Sequence, residues 1–370
     1  MGKKLTIFVF LAACLSFFIV AGKYVHDAGL LRKYPKADYF TEEEAAGRPV
    51  YEQLSDKEKA VYHALYKGIS EKKTKIALPY EIGGDVYAKL YCLVEKQEPE
   101  LFYADSTYYT AQKVRDAKIV YRENPDLIGK KEAEFNEAVQ KAAANVYGMT
   151  SDYEKALRIH DYIIKNCKYT LGDDEKYCST AYGCLVDGKA NCEGYAKAFQ
   201  IIASECGLRC ILITGLTDEG ENHAWNQVEI SGNWRNLDVT WDDIDVEGDK
   251  RRVYFLCSDE EFSKTHTPDD VYFKPFECSG SSNDYYIMTG SYAGTLSEAE
   301  DIIRKGVADG RRTIEIKFAS ADLHKEFRKA YLENNHIFNI IYDESRGTNQ
   351  NTTLTVRENE REYCITLLFE

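Results

Sequence analysis

Between Gly188 and Trp241 the hydrophobic period of the chain changes twice, and that change limits what this stretch can fold into. From Tyr195, apolar side chains recur at Ala198, Phe199, Ile202 and Cys206, the i, i+3, i+4 spacing of a helix with one buried face, and Gly207 stands where a C′ residue belongs. Beyond it "LRCILITG" reads as an apolar strand and "LTDEGEN" as a polar loop. "HAWNQVEI" and "WRNLDVTW" read as two strands of a hairpin turned at "SGN". The pattern predicts a helix packed on an antiparallel sheet, an α+β arrangement.

Cys192 lies in the first turn of that helix, within "GKANCEGYAKAF". The unsatisfied N–H groups and positive dipole end of a first turn favour a thiolate, and the same N–H groups can hold a developing oxyanion. Gly188 and Gly194 allow a loop to come close. Taken alone, a cysteine beside an apolar helix face is ordinarily a packed core residue. The hairpin alters that balance. His223 opens its first strand and Asp238 lies in the second. With a two-residue Ser231–Gly232 loop, Trp225 pairs with Asp238, and His223 and Asp238 become diagonal neighbours on one face. A Gly232–Asn233 loop would move Asp238 opposite Gln227, away from His223. The order Cys192, His223, Asp238 then supplies a thiol, an imidazole to deprotonate it and later protonate a leaving amine, and a carboxylate to fix the ring's tautomer.

The motifs "AYGCLVDGKANCEGYAKAF", "NHAWNQVEI" and "WRNLDVTWDD" resemble the three motifs of the transglutaminase-like superfamily, in its bacterial branch of exported proteins. The resemblance is close over about residues 150 to 245 and looser in the flanks, where "YYIMTGSY" is typical of the segment C-terminal to the core. It implies a papain-like α+β core in which a helix bearing the cysteine packs on an antiparallel sheet. It also implies a nucleophile at Cys192, a general base at His223 and an orienting acid at Asp238. Tyr182, alongside the backbone N–H of Cys192, is the candidate oxyanion donor. Trp225 and Trp241 are candidate walls of an acyl pocket, with a place in the core as the plainer alternative. Arg235 departs from the pattern, since an aromatic often succeeds the Trp, and it bears on the substrate wall. The implied activity is that of an exported thiol enzyme acting on carboxamide or peptide bonds through a cysteinyl acyl-enzyme, as protease, amidase or cross-linking acyltransferase. A catalytically silent surface binding or scaffold protein that keeps the fold is the alternative. The expected substrate is a protein, a peptide or a cell-wall amide.

The flanks carry less chemistry. Lys3 and Lys4 precede an uncharged apolar run from Leu5 to Gly22, long enough at about 1.5 Å per residue to approach a bilayer's thickness. It reads as a cleaved signal or a retained membrane anchor. "LAAC" within it resembles a lipoprotein box, making Cys14 a lipidation candidate. Each reading places the body outside the cytoplasm, as an anchored, lipidated or secreted protein. Residues 23–48 read as a linker, 49–149 as a mostly helical region, 150–290 as the transglutaminase-like core and 295–370 as a small α/β accessory domain. In the last, "LSEAEDIIRKGVADG" reads as a helix, "TIEIKF" and "HIFNIIY" as strands, and the C-terminal stretch as a hairpin. "SDKE" at Ser55 and "SDYE" at Ser151 are capping boxes, the second opening a helix whose inward face would hold Tyr153, Leu157, Ile164 and His160, the histidine as a packed residue.

A formal charge of −14, with no basic patch, argues against nucleic acid as a partner. Eleven cysteines in an exported chain invite disulfides, and Cys206–Cys210 or Cys257–Cys278 could bridge. No CxxC or HExxH occurs, so no metal or cofactor is expected. In "DDIDVEGDK", Asp243, Asp245, Glu247 and Gly248 imitate a calcium loop, but its twelfth position is Tyr254 and not Glu, which leaves a solvated acidic loop.

Overall fold

A computed structural model describes residues 16, 19–21, 23, 33–172, 175–243, 251–280, 285–344 and 353–369. The greater part of the apolar leader, Cys14 within it, and residues 244–250 of the acidic run lie outside the described residues. Among those described, no helix is long and apolar enough to cross a membrane. The chain divides into two compact units, one built from Leu54–Val94, Asp105–Val120 and the described residues before Glu42, the other from Glu42–Gln53, Glu95–Ala104 and the chain from Tyr121 onward.

In the first unit the helix Asp56–Ser70 starts at the predicted capping box, with the Ser55 N–H donating to Glu58 Oε2 at 3.0 Å. Its apolar stripe, Val61, Leu65 and Ile69, is buried. The mostly helical region also carries a three-stranded sheet that the pattern reading did not give, in the order Lys75–Gly83, Lys113–Tyr121, Ala104–Tyr108. Its first strand hid from pattern reading because Pro79 sits inside it and the register slips between Ala77 and Ile82, so no clean alternation survives.

The second unit holds the α+β core. Its sheet is antiparallel, in the order Asn233–Leu237, Asn222–Ile230, Cys210–Thr217, His266–Pro268. The helix Cys192–Glu205 buries Tyr195, Ala198, Phe199 and Ile202 and ends ahead of Gly207, which takes φ 77°. Side-chain amides join helix and sheet. Asn226 Nδ2 donates to the carbonyls of Ala196 (3.0 Å) and Ile211 (3.2 Å), and Gln97 Nε2 to that of Leu212 (2.8 Å). Behind the helix, Lys197 is buried between Glu95 (2.6 Å) and Glu193 (2.8 Å). Buried charges of this kind persist only when paired.

The helix Asp152–Asn166 is capped by Ser151 as expected, but its buried face is Ala156, Ile159, His160 and Ile163, one step round from the face predicted. Toward the C-terminus, the strands Tyr292–Ala293, Thr313–Phe318, Cys364–Phe369 and Leu354–Asn359 form a second sheet, covered by the helices Leu296–Ala308 and Ala321–Phe327. "HIFNIIY" is a helix, His336–Glu344, and not a strand. Ile337, Ile340 and Ile341 are its buried residues, the i, i+3, i+4 spacing that its β-branched composition obscured.

Candidate active site

Cys192 is the first residue of its helix. Asn191 precedes it as N-cap, its side chain accepting from Gly194 N at 3.1 Å while its carbonyl accepts from Tyr195 N at 3.0 Å. The N–H groups of Cys192 and Glu193 remain, and no intrahelical carbonyl can reach them. The helix start is pressed close to a neighbouring turn: a Cβ added at Gly194 would stand 2.5 Å from the Cys178 carbonyl oxygen and 2.7 Å from Ala190 Cβ. The Cys192 side chain packs against Ala196 of its own helix and against Leu212 and Ala224 of the two central strands of the sheet.

The hairpin adopts the predicted register. Ile230 pairs with Asn233 and Asn226 with Leu237 across a two-residue Ser231–Gly232 turn, in which both residues have positive φ, 50° and 82°. That is the primed turn whose twist matches the strands. His223 Nε2 and Asp238 Oδ2 meet at 2.7 Å. The second strand ends at Leu237, so Asp238 is not in it but serves as N-cap of the short helix Val239–Asp242, with Oδ1 accepting from Thr240 N (2.9 Å) and Trp241 N (3.2 Å).

Burial of the His223 ring disfavours its charge, yet the Asp238 carboxylate, with the Cys192 side chain acting in the same direction, raises its pKa from 6.5 to about 10. Burial likewise opposes the charge on Asp238, but His223 and then His266 hold its carboxyl well below the usual carboxylate range. The pair is therefore imidazolium and carboxylate. Since Nε2 is on Asp238, Nδ1 is the nitrogen left for the thiol.

The other expected residues fall in different places. Tyr182 is buried, its ring packed 4.8 Å from both Phe102 and Tyr177. Its hydroxyl donates to Glu134 (2.8 Å) and accepts from Lys131 (3.2 Å), an aromatic-cluster role in place of the oxyanion role expected. Trp225, 1% exposed, lies 6.2 Å from His223 and lines a cavity of about 750 Å³ with Gln227, Phe262, His266 and Phe276. Trp241 packs 5.4 Å from the His223 ring and carries the Arg361 guanidinium 4.8 Å over its other side. Arg235 is buried and donates to the carbonyls of Trp234 and Ser279, so it ties down a loop and lines no wall.

His160 is fully buried, with Nε2 3.1 Å from Asp242 Oδ2. Asp242 is buried with it, and Asp243 accepts from the Tyr195 hydroxyl at 2.5 Å, so the acidic run begins as structure and not as a solvated loop. Cys206, Cys210 and Cys278 are free thiols, and neither suggested disulfide forms.

Sequence reasoning missed two neighbours of the site. His266, in a three-residue strand, places Nε2 3.2 Å from Asp238 Oδ2. Tyr169, half-exposed, precedes the thiol's loop in space because Lys168–Tyr169 pairs in parallel with Lys189–Ala190. Burial and the nearby Cys192 and Asp238 raise its phenol. Neither strand is long enough to show alternation. His223, Asp238 and His266 present ligand atoms all within 4.8 Å of one another. Two ligands of one tetrahedral zinc stand about 3.3 Å apart, whereas His223 and Asp238 stand 2.7 Å apart, the distance of a short hydrogen bond.

Residues 140–239 match the family model described as transglutaminase-like superfamily. Among curated proteins, kyphoscoliosis peptidase of Mus musculus is 26% identical over 193 residues, covering 45% of this chain and 29% of that protein. The Homo sapiens protein of the same name is 25% identical over 199 residues, covering 47% and 30%. The chain thus spans less than a third of the length of these relatives. A solved structure described as a TGase is 16% identical, with a TM-score of 0.28, covering 32% of this chain and 34% of that one.

Proposed function

We propose, from the match of residues 140–239 to the transglutaminase-like superfamily model, that the chain is an exported thiol enzyme acting on carboxamide or peptide bonds. The observation that carries the reading is the hydrogen bond of 2.7 Å from His223 to a buried Asp238, with Cys192 at a helix start acting on the same imidazole. The thiolate of Cys192 attacks the carbonyl carbon, and the N–H groups of Cys192 and Glu193 are the donors for the developing oxyanion. The His223 imidazolium is the acid that protonates the departing amine or ammonia. Water or a second amine then resolves the acyl-enzyme with His223 as base. The same residues serve both fates, which differ in water access and an acceptor site. The name peptidase carried by the two mammalian relatives supports hydrolysis.

Iodoacetamide labelling of the folded protein against pH, read at Cys192 by mass spectrometry, tests the reading. The expected result is alkylation at about pH 7 that drops at least about tenfold in His223→Ala. Cys192→Ala should abolish turnover of peptide amides while leaving the fold intact. A thiol that reacts alike in both proteins, or cellular function untouched in Cys192→Ala, would favour a binding or scaffold protein.

A further inference from the structure

Asp238 is held by two imidazoles. Besides His223, His266 brings Nε2 to the same Oδ2 at 3.2 Å, and its Nδ1 lies 2.8 Å from Thr265 Oγ1. A carboxylate only accepts, so both Nε2 atoms must carry protons. The Thr265 hydroxyl, which also reaches the Phe262 carbonyl at 3.4 Å, partners the other nitrogen of His266, so both ends of that ring are tied.

The ring is locked in place. Phe262 stacks on it at 4.0 Å, and Trp241 and Trp225 pack at 4.5 and 5.1 Å, the same two tryptophans that flank His223. His266 is 1% exposed.

We propose that His266 is a positioning residue for the proposed thiol chemistry: its N–H fixes the shared Oδ2 of Asp238 and thereby the ring angle of His223. The backbone N–H groups of Thr240 and Trp241 fix Oδ1, and His266 closes the remaining freedom on the Oδ2 side. The ring acts through Asp238.

The inference rests on the catalytic reading, so its test must separate the two. In the full chain, His266→Phe keeps the aromatic stack and removes the donor, whereas His266→Gln keeps a donor. Each is compared with the parent and with His223→Ala for Cys192 alkylation at neutral pH and for the imidazole ¹⁵N–¹H correlations of His223. His266→Phe should slow alkylation about tenfold, the equivalent of one hydrogen bond to a charged group. It should also shift and broaden the ring N–H signals of the His223 imidazolium as the ring loses its fixed angle, and His266→Gln should recover most of both. If His266→Phe does not fold, Thr265→Val, which keeps the ring but unties its other nitrogen, should show the same changes in smaller measure. Parent-like rate and parent-like His223 signals in the folded variant overturn the positioning role. If the parent itself shows no dependence on His223, it is the thiol-enzyme reading that fails.

Discussion

Both oxygens of Asp238 are filled, Oδ1 by two backbone N–H groups and Oδ2 by two imidazoles. An amide at this position has one acceptor end and one donor end, so in Asp238→Asn a donor must face a donor whichever way the group turns. With the carbonyl kept on the backbone N–H groups, the amide forces His223 to carry its proton on Nδ1, facing the thiol it should deprotonate. We expect Asp238→Asn to fold with Cys192 alkylation close to that of His223→Ala. Asp238→Ala, which strands buried donors, should lose about 3 kcal/mol of stability in urea unfolding. The pKa shifts set a pH dependence. His223 is raised in the folded state, so its contribution is complete below its ordinary 6.5 and is lost as pH rises through about 10. Asp238 is lowered, so its contribution is complete above its ordinary 3.8 and is lost as pH falls through its lower folded value. The stability difference between parent and His223→Ala, tracked by urea midpoints, should therefore shrink steadily from pH 6.5 toward 10. A difference that grows across that interval would contradict the pairing.

The turn and the helix start can each be tested as elements. Ser231 occupies φ 50° in the hairpin turn, a conformation that asparagine tolerates better than serine, so Ser231→Asn should stabilise by about 0.5 kcal/mol, read as a raised melting temperature. Gly194→Ala puts a methyl group against the Cys178 carbonyl and should cost about 1–3 kcal/mol, moving the helix start enough to slow Cys192 alkylation as well. These two elements were also the legible ones. The helix from Cys192 announced itself by period and C-terminal glycine, and the hairpin register came from one choice of loop length. Where reading failed, the signal was local and the cause was not. "HIFNIIY" is rich in residues that suit strands, and only packing of Ile337, Ile340 and Ile341 on the C-terminal core makes it a helix. Tyr182 has the residue type of an oxyanion donor, but Glu134 and Lys131, distant in sequence, engage its hydroxyl. His266 stands in a strand of three residues, and its value comes wholly from Asp238, reached through the fold.

At the scale of the second unit, the site depends on the far end of the chain. The tip of the C-terminal hairpin places Arg361 over Trp241, and Glu362 accepts from the Tyr254 hydroxyl, so the ring wall behind His223 is finished by residues near the C-terminus. Arg361→Ala should change the tryptophan fluorescence and cost about 0.5–1 kcal/mol. Removal of residues 295–370 should lower Cys192 reactivity more than Arg361→Ala does, as measured by alkylation of the soluble fraction. An unchanged rate in the truncated chain would show that the wall stands without that hairpin. The linear order of these parts also sets a schedule for synthesis. Of these residues Cys192 leaves the ribosome first, His223 and Asp238 next, then His266 and then Arg361. A nascent chain stalled before residue 223 should therefore carry a thiol that iodoacetamide labels no faster than an ordinary cysteine, with reactivity appearing in steps as each partner emerges.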